Sequence, residues 1–157
     1  MARAVDALSR REYSRLELTR RLMRSLAEGE TFDDVEDVVG TLEKRGYLSD
    51  ERYAQTRVRV RSERYGNRRL AHELRMMGVD GEIVRETLAN APDEFERAMS
   101  VWQKRFGEPP QDRRERDRQV RFLASRGFAF DIIERCLRAA HSRMPEDDED
   151  GDSFAVD

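Results

Sequence analysis

The feature that most constrains the fold is an apolar pattern, centred on a glycine, that occurs twice with identical spacing. Each copy has a leucine before the glycine and two large apolar residues after it: Leu74, Gly78, Ile83 and Leu88 in one copy, Leu123, Gly127, Ile132 and Leu137 in the other. Glycine commonly ends a helix in the left-handed conformation, so each copy predicts two helices joined by a glycine turn. A third copy has the same order with a longer connection and runs from Leu22 through Gly29 to Leu42.

The rest of the chain has the same helical periodicity. Apolar residues recur every three or four positions, and the four prolines lie between these segments, never within them. Strands are not indicated, because sustained alternation of apolar and polar residues is nearly absent. The pattern therefore predicts an all-α protein of three tandem three-helix, helix-turn-helix-like repeats, at residues 1–48, 49–91 and 92–144.

Several helix boundaries can be predicted from local signals. The first helix is expected at residues 4–12. The fourth is expected to carry Val58 and Val60 on its apolar side and to end near Gly66. Asn67, with a side chain suited to an N-cap, is expected to cap the fifth helix.

Composition argues against several classes of protein. Charged residues make up 40% of the chain and hydrophobic ones 38%, which suits thin helical layers in which each helix buries one stripe. No signal peptide and no apolar run near 18 residues is present, so we expect a cytoplasmic protein with no membrane partner. The single cysteine, Cys136, builds neither a disulfide framework nor a zinc site, and the two histidines are far apart in sequence. We therefore expect no metal, no cofactor and no catalytic residues: the protein is predicted not to be an enzyme.

The charge of the chain is unevenly distributed. Residues 145–157 contain seven acidic residues and no basic ones, which leaves 30 basic residues against 26 acidic ones in the rest of the chain, a net charge of +4. This segment is predicted to be a disordered acidic tail. A basic body with an acidic tail is typical of a protein that meets polyanions and moderates its own affinity for them, although such a tail can also serve only solubility.

Arginine accounts for nearly all of the positive charge and is clustered. The densest cluster runs from Arg57 to Arg75 and contains seven basic residues against two acidic ones, Glu63 and Glu73. Like charges one helical turn apart destabilise a helix by ~0.2–0.5 kcal/mol per pair. A bound polyanion or an acidic protein surface would offset this repulsion. The alternative is an ordinary solvated face. The candidate residues for binding a partner or DNA on this basic face are Arg10, Arg11, Arg15, Arg20, Arg21, Arg57, Arg61, Arg64, Arg68, Arg69 and Arg75.

Residues 46–54 (GYLSDERYA) form the most distinctive stretch. A glycine that stops one helix is followed by an apolar residue and then by a cap for the next helix, which is the pattern of a joint between two units. We assign this structural role to Gly46, Tyr47, Leu48, Asp50 and Tyr53.

These residues also carry a resemblance to a known family. Residues 7–14 (ALSRREYS), 46–54, 66–70 (GNRRL) and 122–128 (FLASRGF) resemble, in this order, the RecX proteins that regulate the bacterial RecA recombinase. The resemblance covers roughly residues 4–140. It differs at Asn67, where the family commonly has proline, and the acidic tail is not part of the pattern.

The resemblance implies an elongated, curved array of helical repeats that docks in the groove of a RecA filament on single-stranded DNA. It implies inhibition of strand exchange and of ATP hydrolysis, in the regulation of recombination, DNA repair and the SOS response. We expect a monomer, with single-stranded DNA contacted weakly or through RecA. The alternative is a non-specific DNA-binding protein that uses its helix-turn-helix-like units directly. A scaffold for an unrelated partner is a third hypothesis.

Overall fold

The computed structural model describes residues 1–143, and all regular structure within that range is helical. The nine helices of these residues are α1 (Ala2–Arg10), α2 (Arg15–Arg24), α3 (Phe32–Lys44), α4 (Asp50–Arg61), α5 (Asn67–Met76), α6 (Gly81–Ala89), α7 (Glu94–Arg105), α8 (Arg113–Ser125) and α9 (Phe130–Ser142). The predicted all-α repeat fold is confirmed. The acidic tail predicted at residues 145–157 lies outside the described residues.

Three hydrophobic clusters form the core, and each draws on three consecutive helices. The first triplet, α1–α3, surrounds Leu18, Val39 and Leu42; in the second, α4–α6, Leu70 and Leu74 are almost fully buried. The third triplet, α7–α9, buries as many side chains as the first: Ala98, Met99, Trp102, Leu123, Phe128, Ile133, Cys136, Leu137 and Ala140. Each helix contributes one stripe, which explains how a chain so rich in charge still forms a core.

The glycine turns of the second and third triplets have the same geometry. Gly78 and Gly127 adopt φ angles of 78° and 89°. The amide of the next residue donates to the carbonyl five positions earlier: Val79 to Leu74 at 3.1 Å and Phe128 to Leu123 at 3.2 Å. This is the Schellman motif, in which the residue after the glycine packs against the helix that has just ended. Helix, glycine turn and helix therefore follow the predicted order.

Two of the predicted helix boundaries are wrong by a few residues. The first helix spans Ala2–Arg10, not residues 4–12, because Arg11 is extended, with φ of −165°. α4 ends at Arg61 instead of near Gly66. The carbonyls of Ser62 and Tyr65, just past its end, accept hydrogen bonds from a side chain of the third triplet, so tertiary contacts hold this segment out of the helix.

Two predictions about single residues are also wrong. Val60 is 68% exposed whereas Val58 is 4% exposed, since positions two apart lie on opposite sides of a helix. The N-cap of α5 is Gly66, and Asn67 is already the first helical residue. The amide of Asn67 donates to the Glu94 carboxylate at 3.2 Å, so a different helix provides the cap that local sequence assigned to the Asn67 side chain.

Among residues 1–143, no helix combines the length and the apolar character needed to cross a lipid bilayer.

Candidate polyanion-binding surface

Three of the arginines predicted on the basic face converge on one carboxylate, that of Glu73. Arg61 binds it through two hydrogen bonds, Nε to Oε2 and Nη2 to Oε1, both at 2.7 Å. Arg69 lies 3.4 Å and Arg57 3.9 Å from the same carboxylate. We call Glu73, Arg57, Arg61 and Arg69 the Glu73 cluster. Three of the arginines counted in the basic cluster of the sequence are therefore paired with a carboxylate of the same chain.

The electrostatics of the Glu73 cluster keep the carboxylate ionised. Burial by itself would raise the pKa of Glu73, but the hydrogen bond from Arg61 and the charges of Arg61 and Arg57 lower it below its ordinary value. The same hydrogen bond raises the pKa of Arg61. The guanidinium carbons of Arg61 and Arg69 also lie 4.5 Å and 4.1 Å from the centre of the Tyr65 ring. Two arginines of the Glu73 cluster thus already cover the Tyr65 ring.

The arginines at the end of α1 are engaged in the same way. Arg11 donates to Glu17 at 2.6 Å and stacks on the Tyr13 ring at 3.7 Å. The hydrogen bond to Glu17 is the main reason why the pKa of Arg11 is raised. Arg10 lies 3.4 Å from Asp6 on an exposed part of the helix.

On α2, one predicted arginine is paired and two are not. Arg15 lies 3.3 Å from Glu36 and 3.4 Å from Glu43. Arg20 and Arg21 are exposed, and neither has a carboxylate within 4.0 Å among residues 1–143. They remain available to an outside anion.

The same holds for three arginines of the second triplet. Arg64, Arg68 and Arg75 are exposed and have no ion-pair partner in the described part of the chain. Arg64 lies in the turn after α4, whereas Arg68 and Arg75 lie at the two ends of α5. Because α4 ends at Arg61, none of these three arginines lies on the helix that carries Arg57 and Arg61. The unpaired arginines are distributed over two elements.

The residues predicted as a structural joint lie between the first two clusters. Gly46 adopts a φ of 78°, Leu48 is buried in the first cluster and Tyr53 in the second, and Tyr47 is 63% exposed. Asp50 Oδ1 accepts a hydrogen bond from the backbone amide of Arg15 at 2.7 Å. The stretch thus contacts both triplets.

A second type of contact, which the sequence did not reveal, docks the start of a middle helix on the glycine turn of the next triplet. At the start of α2, the Ser14 hydroxyl donates to the Met77 carbonyl at 2.7 Å, one residue before Gly78. At the start of α5, the Gly66 amide donates to the Arg126 carbonyl at 2.8 Å, one residue before Gly127. The contact is repeated, like the helices that it joins.

Carboxylates complete both joints in equivalent ways. The first residue of α4, Asp50, accepts from the first amide of α2, that of Arg15, at 2.7 Å. The first residue of α7, Glu94, accepts from the first amide of α5, that of Asn67, at 3.2 Å. A negative charge beside a helix N-terminus is favourable because of the helix dipole and the free amides there.

Arg97 connects the second and third triplets through several hydrogen bonds. It is only 6% exposed, and its guanidinium donates to the carbonyls of Ser62 at 3.1 Å, Tyr65 at 2.8 Å and Pro92 at 2.9 Å. A further hydrogen bond goes to the side chain of Asn67. Burial lowers the pKa of Arg97. In the sequence this residue is one more arginine in a charged helix, and no local pattern marks it as buried.

Residues 1–143 contain no group of three His, Cys, Asp or Glu side chains placed to hold a metal ion. Cys136 is buried, with its Sγ 3.2 Å from the Sδ of Met99. Burial raises the pKa of its thiol to about 11, which keeps the thiol protonated and unreactive near neutral pH.

Comparison with known proteins places these features in a family context. A family model for the second three-helix domain of RecX matches residues 49–88, and one for its third three-helix domain matches residues 92–137. The protein named "Regulatory protein RecX" from Ralstonia nicotianae is 40% identical over 149 residues, which cover 94% of this chain and 92% of that protein. The protein of the same name from Chromobacterium violaceum is 42% identical over 136 residues, 87% of each chain.

A solved structure shows that the likeness extends to the fold. The crystal structure of RecX from Lactobacillus salivarius superposes with a TM-score of 0.75 at 22% sequence identity, over 90% of this chain and 94% of that one. At 22% identity this comparison shows the fold alone. The likeness in sequence is shown by the relatives that are 40% and 42% identical.

Proposed function

The chain belongs to the RecX family, and we propose that it is a cytoplasmic regulator that inhibits the RecA recombinase by binding the RecA filament on single-stranded DNA. The observation that carries this proposal is the match over 94% of the chain to a protein named "Regulatory protein RecX". A regulator of this kind lowers strand exchange and ATP hydrolysis by occupying a filament, and it needs exposed contact groups instead of catalytic ones.

The ion pairs suggest which candidate residues bind the partner. Five of the predicted arginines are exposed without a carboxylate partner among the described residues: Arg20, Arg21, Arg64, Arg68 and Arg75. An unpaired guanidinium can donate bidentate hydrogen bonds to a carboxylate or a phosphate without first breaking an internal ion pair. We propose that these five make the contacts, whereas the Glu73 cluster supports the surface between them.

The test is a titration of RecA's single-stranded-DNA-dependent ATPase with the full-length protein. We expect inhibition at fewer than one molecule per RecA subunit. Substitution of Arg64, Arg68 and Arg75 by glutamine should weaken inhibition. A matched triple substitution of Arg113, Arg114 and Arg121, which are also exposed and unpaired in the described residues, should not. An ATPase rate that stays constant over a full titration of the wild-type protein would exclude the proposed function.

The alternative, direct non-specific binding to DNA, is favoured by the same unpaired arginines. It predicts strong binding to bare single strands, falling steeply as salt rises because phosphate contacts release counterions. The proposed regulator instead binds RecA-coated strands more tightly than bare ones. Comparing the two affinities at one salt concentration separates these functions.

A further inference from the structure

A basic groove lies where the second and third triplets meet. It has a volume of about 490 Å³ and is lined by Glu63, Arg64, Val101, Lys104, Arg105, Phe122 and Arg126. The turn after α4, the C-terminal half of α7 and the end of α8 contribute these residues. Four cationic side chains thus face one carboxylate across a space that is open to solvent. We refer to it as the basic groove.

The charge of the basic groove is not neutralised by the protein. Among residues 1–143, none of Arg64, Lys104, Arg105 and Arg126 lies within 4.0 Å of a carboxylate. The Glu73 cluster is the opposite case, since one carboxylate there engages three arginines. Four like charges held near one another repel, and a bound anion would relieve that repulsion.

Aromatic rings hold two of the guanidinium groups in place. Arg126 lies 5.1 Å from the centre of the Phe122 ring and 5.4 Å from that of Tyr65. Arg105 lies 5.5 Å from the same Phe122 ring. Stacking restricts a long side chain before any ligand arrives, yet leaves the in-plane N–H donors of the guanidinium free. The groove is therefore partly organised for an oxyanion.

The joint between the triplets sets the position of these groups. The backbone hydrogen bond from Gly66 to the Arg126 carbonyl holds the turn that carries Arg64 against the end of α8. Arg97 fixes the same turn from the side of α7 through the carbonyls of Ser62 and Tyr65. The groove thus belongs to the folded pair of triplets and to neither one alone.

We propose that the basic groove binds the phosphodiester backbone of a single strand of nucleic acid. Sites for single strands combine a positively charged groove with aromatic or apolar surface, and here Val101 and the arginine-flanked Phe122 ring line the groove. An acidic peptide would use the cations but has no comparable need for the aromatic floor. The proposal rests on the proposed function, which brings the protein to a filament formed on such a strand.

The chain offers a matched pair of variants, because its only two lysines are each followed by arginine at the end of a helix: Lys44-Arg45 at the end of α3 and Lys104-Arg105 at the end of α7. The double substitutions K104Q/R105Q and K44Q/R45Q remove the same charges, but only the first pair lines the basic groove. The experiment measures binding of full-length protein to a fluorescein-labelled 15-nucleotide oligothymidine by anisotropy, at several salt concentrations.

We expect K104Q/R105Q to weaken binding at low salt on the order of tenfold, and to reduce the slope of log affinity against log salt by about 1.4, which is 0.7 for each lost contact to a single strand. The affinity of K44Q/R45Q for the oligothymidine should stay within about twofold of that of the wild type. Arg64→Gln, an exposed change in the turn after α4, should also weaken binding. Circular dichroism and thermal unfolding confirm that each variant is folded.

Three results would overturn the proposal. Equal weakening by the two double variants would show only a loss of net charge. Unchanged binding in both K104Q/R105Q and Arg64→Gln would exclude the groove. Competition by a 15-residue polyglutamate as effective as that by unlabelled oligothymidine would show that the groove takes an acidic peptide. Because no recombinase is present, failure here leaves the ATPase test of the proposed function unaffected, and the reverse is also true.

Discussion

Glu73 lies on α5 within 4.0 Å of three arginines, and its carboxylate accepts two hydrogen bonds from Arg61. At the residue scale this arrangement controls how much positive charge the second triplet presents. The basic groove has four cations and no such carboxylate in contact with them. The distribution of a few acidic side chains, more than the number of arginines, therefore decides which cations are paired among the described residues.

Glu73→Gln should reduce the free energy of unfolding by roughly 1 kcal/mol at neutral pH, the size expected for a well-formed ion pair near the surface. The pKa of Glu73 is lowered in the folded state, so its contribution is complete above the unfolded value of 4.5 and disappears as pH falls through the lower, folded value. Urea unfolding of wild type and variant between pH 3 and pH 7 checks this. The two should differ at pH 7, and the difference should shrink as pH falls below 4.5.

Glu86→Gln is the matched control for this prediction, because Glu86 on α6 is exposed and has no ion pair among the described residues. It should leave the stability nearly unchanged at every pH. A difference between wild type and Glu73→Gln that is constant from pH 3 to pH 7 would show that the ion pairs do not contribute.

At the scale of helices and turns, the two joints follow one rule: the start of a middle helix docks on the glycine turn of the next triplet. A Cβ added at Gly66 would lie 2.4 Å from the carbonyl oxygen of Gly127, and one added at Gly78 would lie 2.8 Å from the Leu16 Cβ. Both distances are far below contact, so glycine allows the backbone or a side chain to approach. The close approach also permits the hydrogen bond between Gly66 and Arg126.

Gly66→Ala should destabilise the protein by about 1–3 kcal/mol, the usual cost of overpacking. The φ of Gly66 is −79°, which alanine adopts readily, so the effect would come from the joint and not from backbone strain. Gly40→Ala provides the comparison, because Gly40 lies within α3 and a Cβ there meets nothing within 4 Å. It should stabilise the protein by about 0.5–1 kcal/mol through helix propensity.

Thermal and urea unfolding of the two glycine variants give the measurement. Gly66→Ala should also weaken oligothymidine binding, since the joint positions Arg64 and Arg126 across the basic groove. Equal stability of wild type and Gly66→Ala would mean that the second and third triplets are not held together by this contact.

At the scale of the whole molecule, charge is divided between a body of net charge +4 and the acidic residues 145–157. The helices form three triplets, each with its own cluster, and the division into units at residues 48/49 and 91/92 stays a prediction. The elongated, curved shape of the array stays a prediction as well. We expect a segment with seven acids to compete with a polyanion for the cations of the body.

Deletion of residues 145–157 should tighten binding to oligothymidine severalfold at low salt, and the gain should vanish near physiological salt, where charges more than ~8 Å apart are screened. Replacing the seven acids by asparagine or glutamine, at unchanged length, should have the same effect. Anisotropy titrations at several salt concentrations test both. Affinity that does not change in either variant would leave these residues with no role in binding.

Local interactions explain what could be predicted from the sequence. The glycine turns and the apolar stripes depend on residues within about five positions of one another, because helix hydrogen bonds and Schellman motifs are local. The repeat, the all-α fold and the family resemblance follow from such patterns. The predicted end of α4 and the predicted cap of α5 are wrong because distant residues contact the backbone near Gly66 and Asn67.

Which charges are available depends on tertiary contacts as well as on neighbours in the same helix. Arg61 pairs with Glu73 of another helix, 12 residues away in sequence, and Arg97 reaches carbonyls 32 and 35 residues away. The basic groove likewise joins residues from the turn after α4, from α7 and from the end of α8. The helices and their repetition follow from the sequence alone, because those interactions are short-range. The joints, the buried Arg97 and the groove depend on how helices approach one another, which a pattern along one helix does not record.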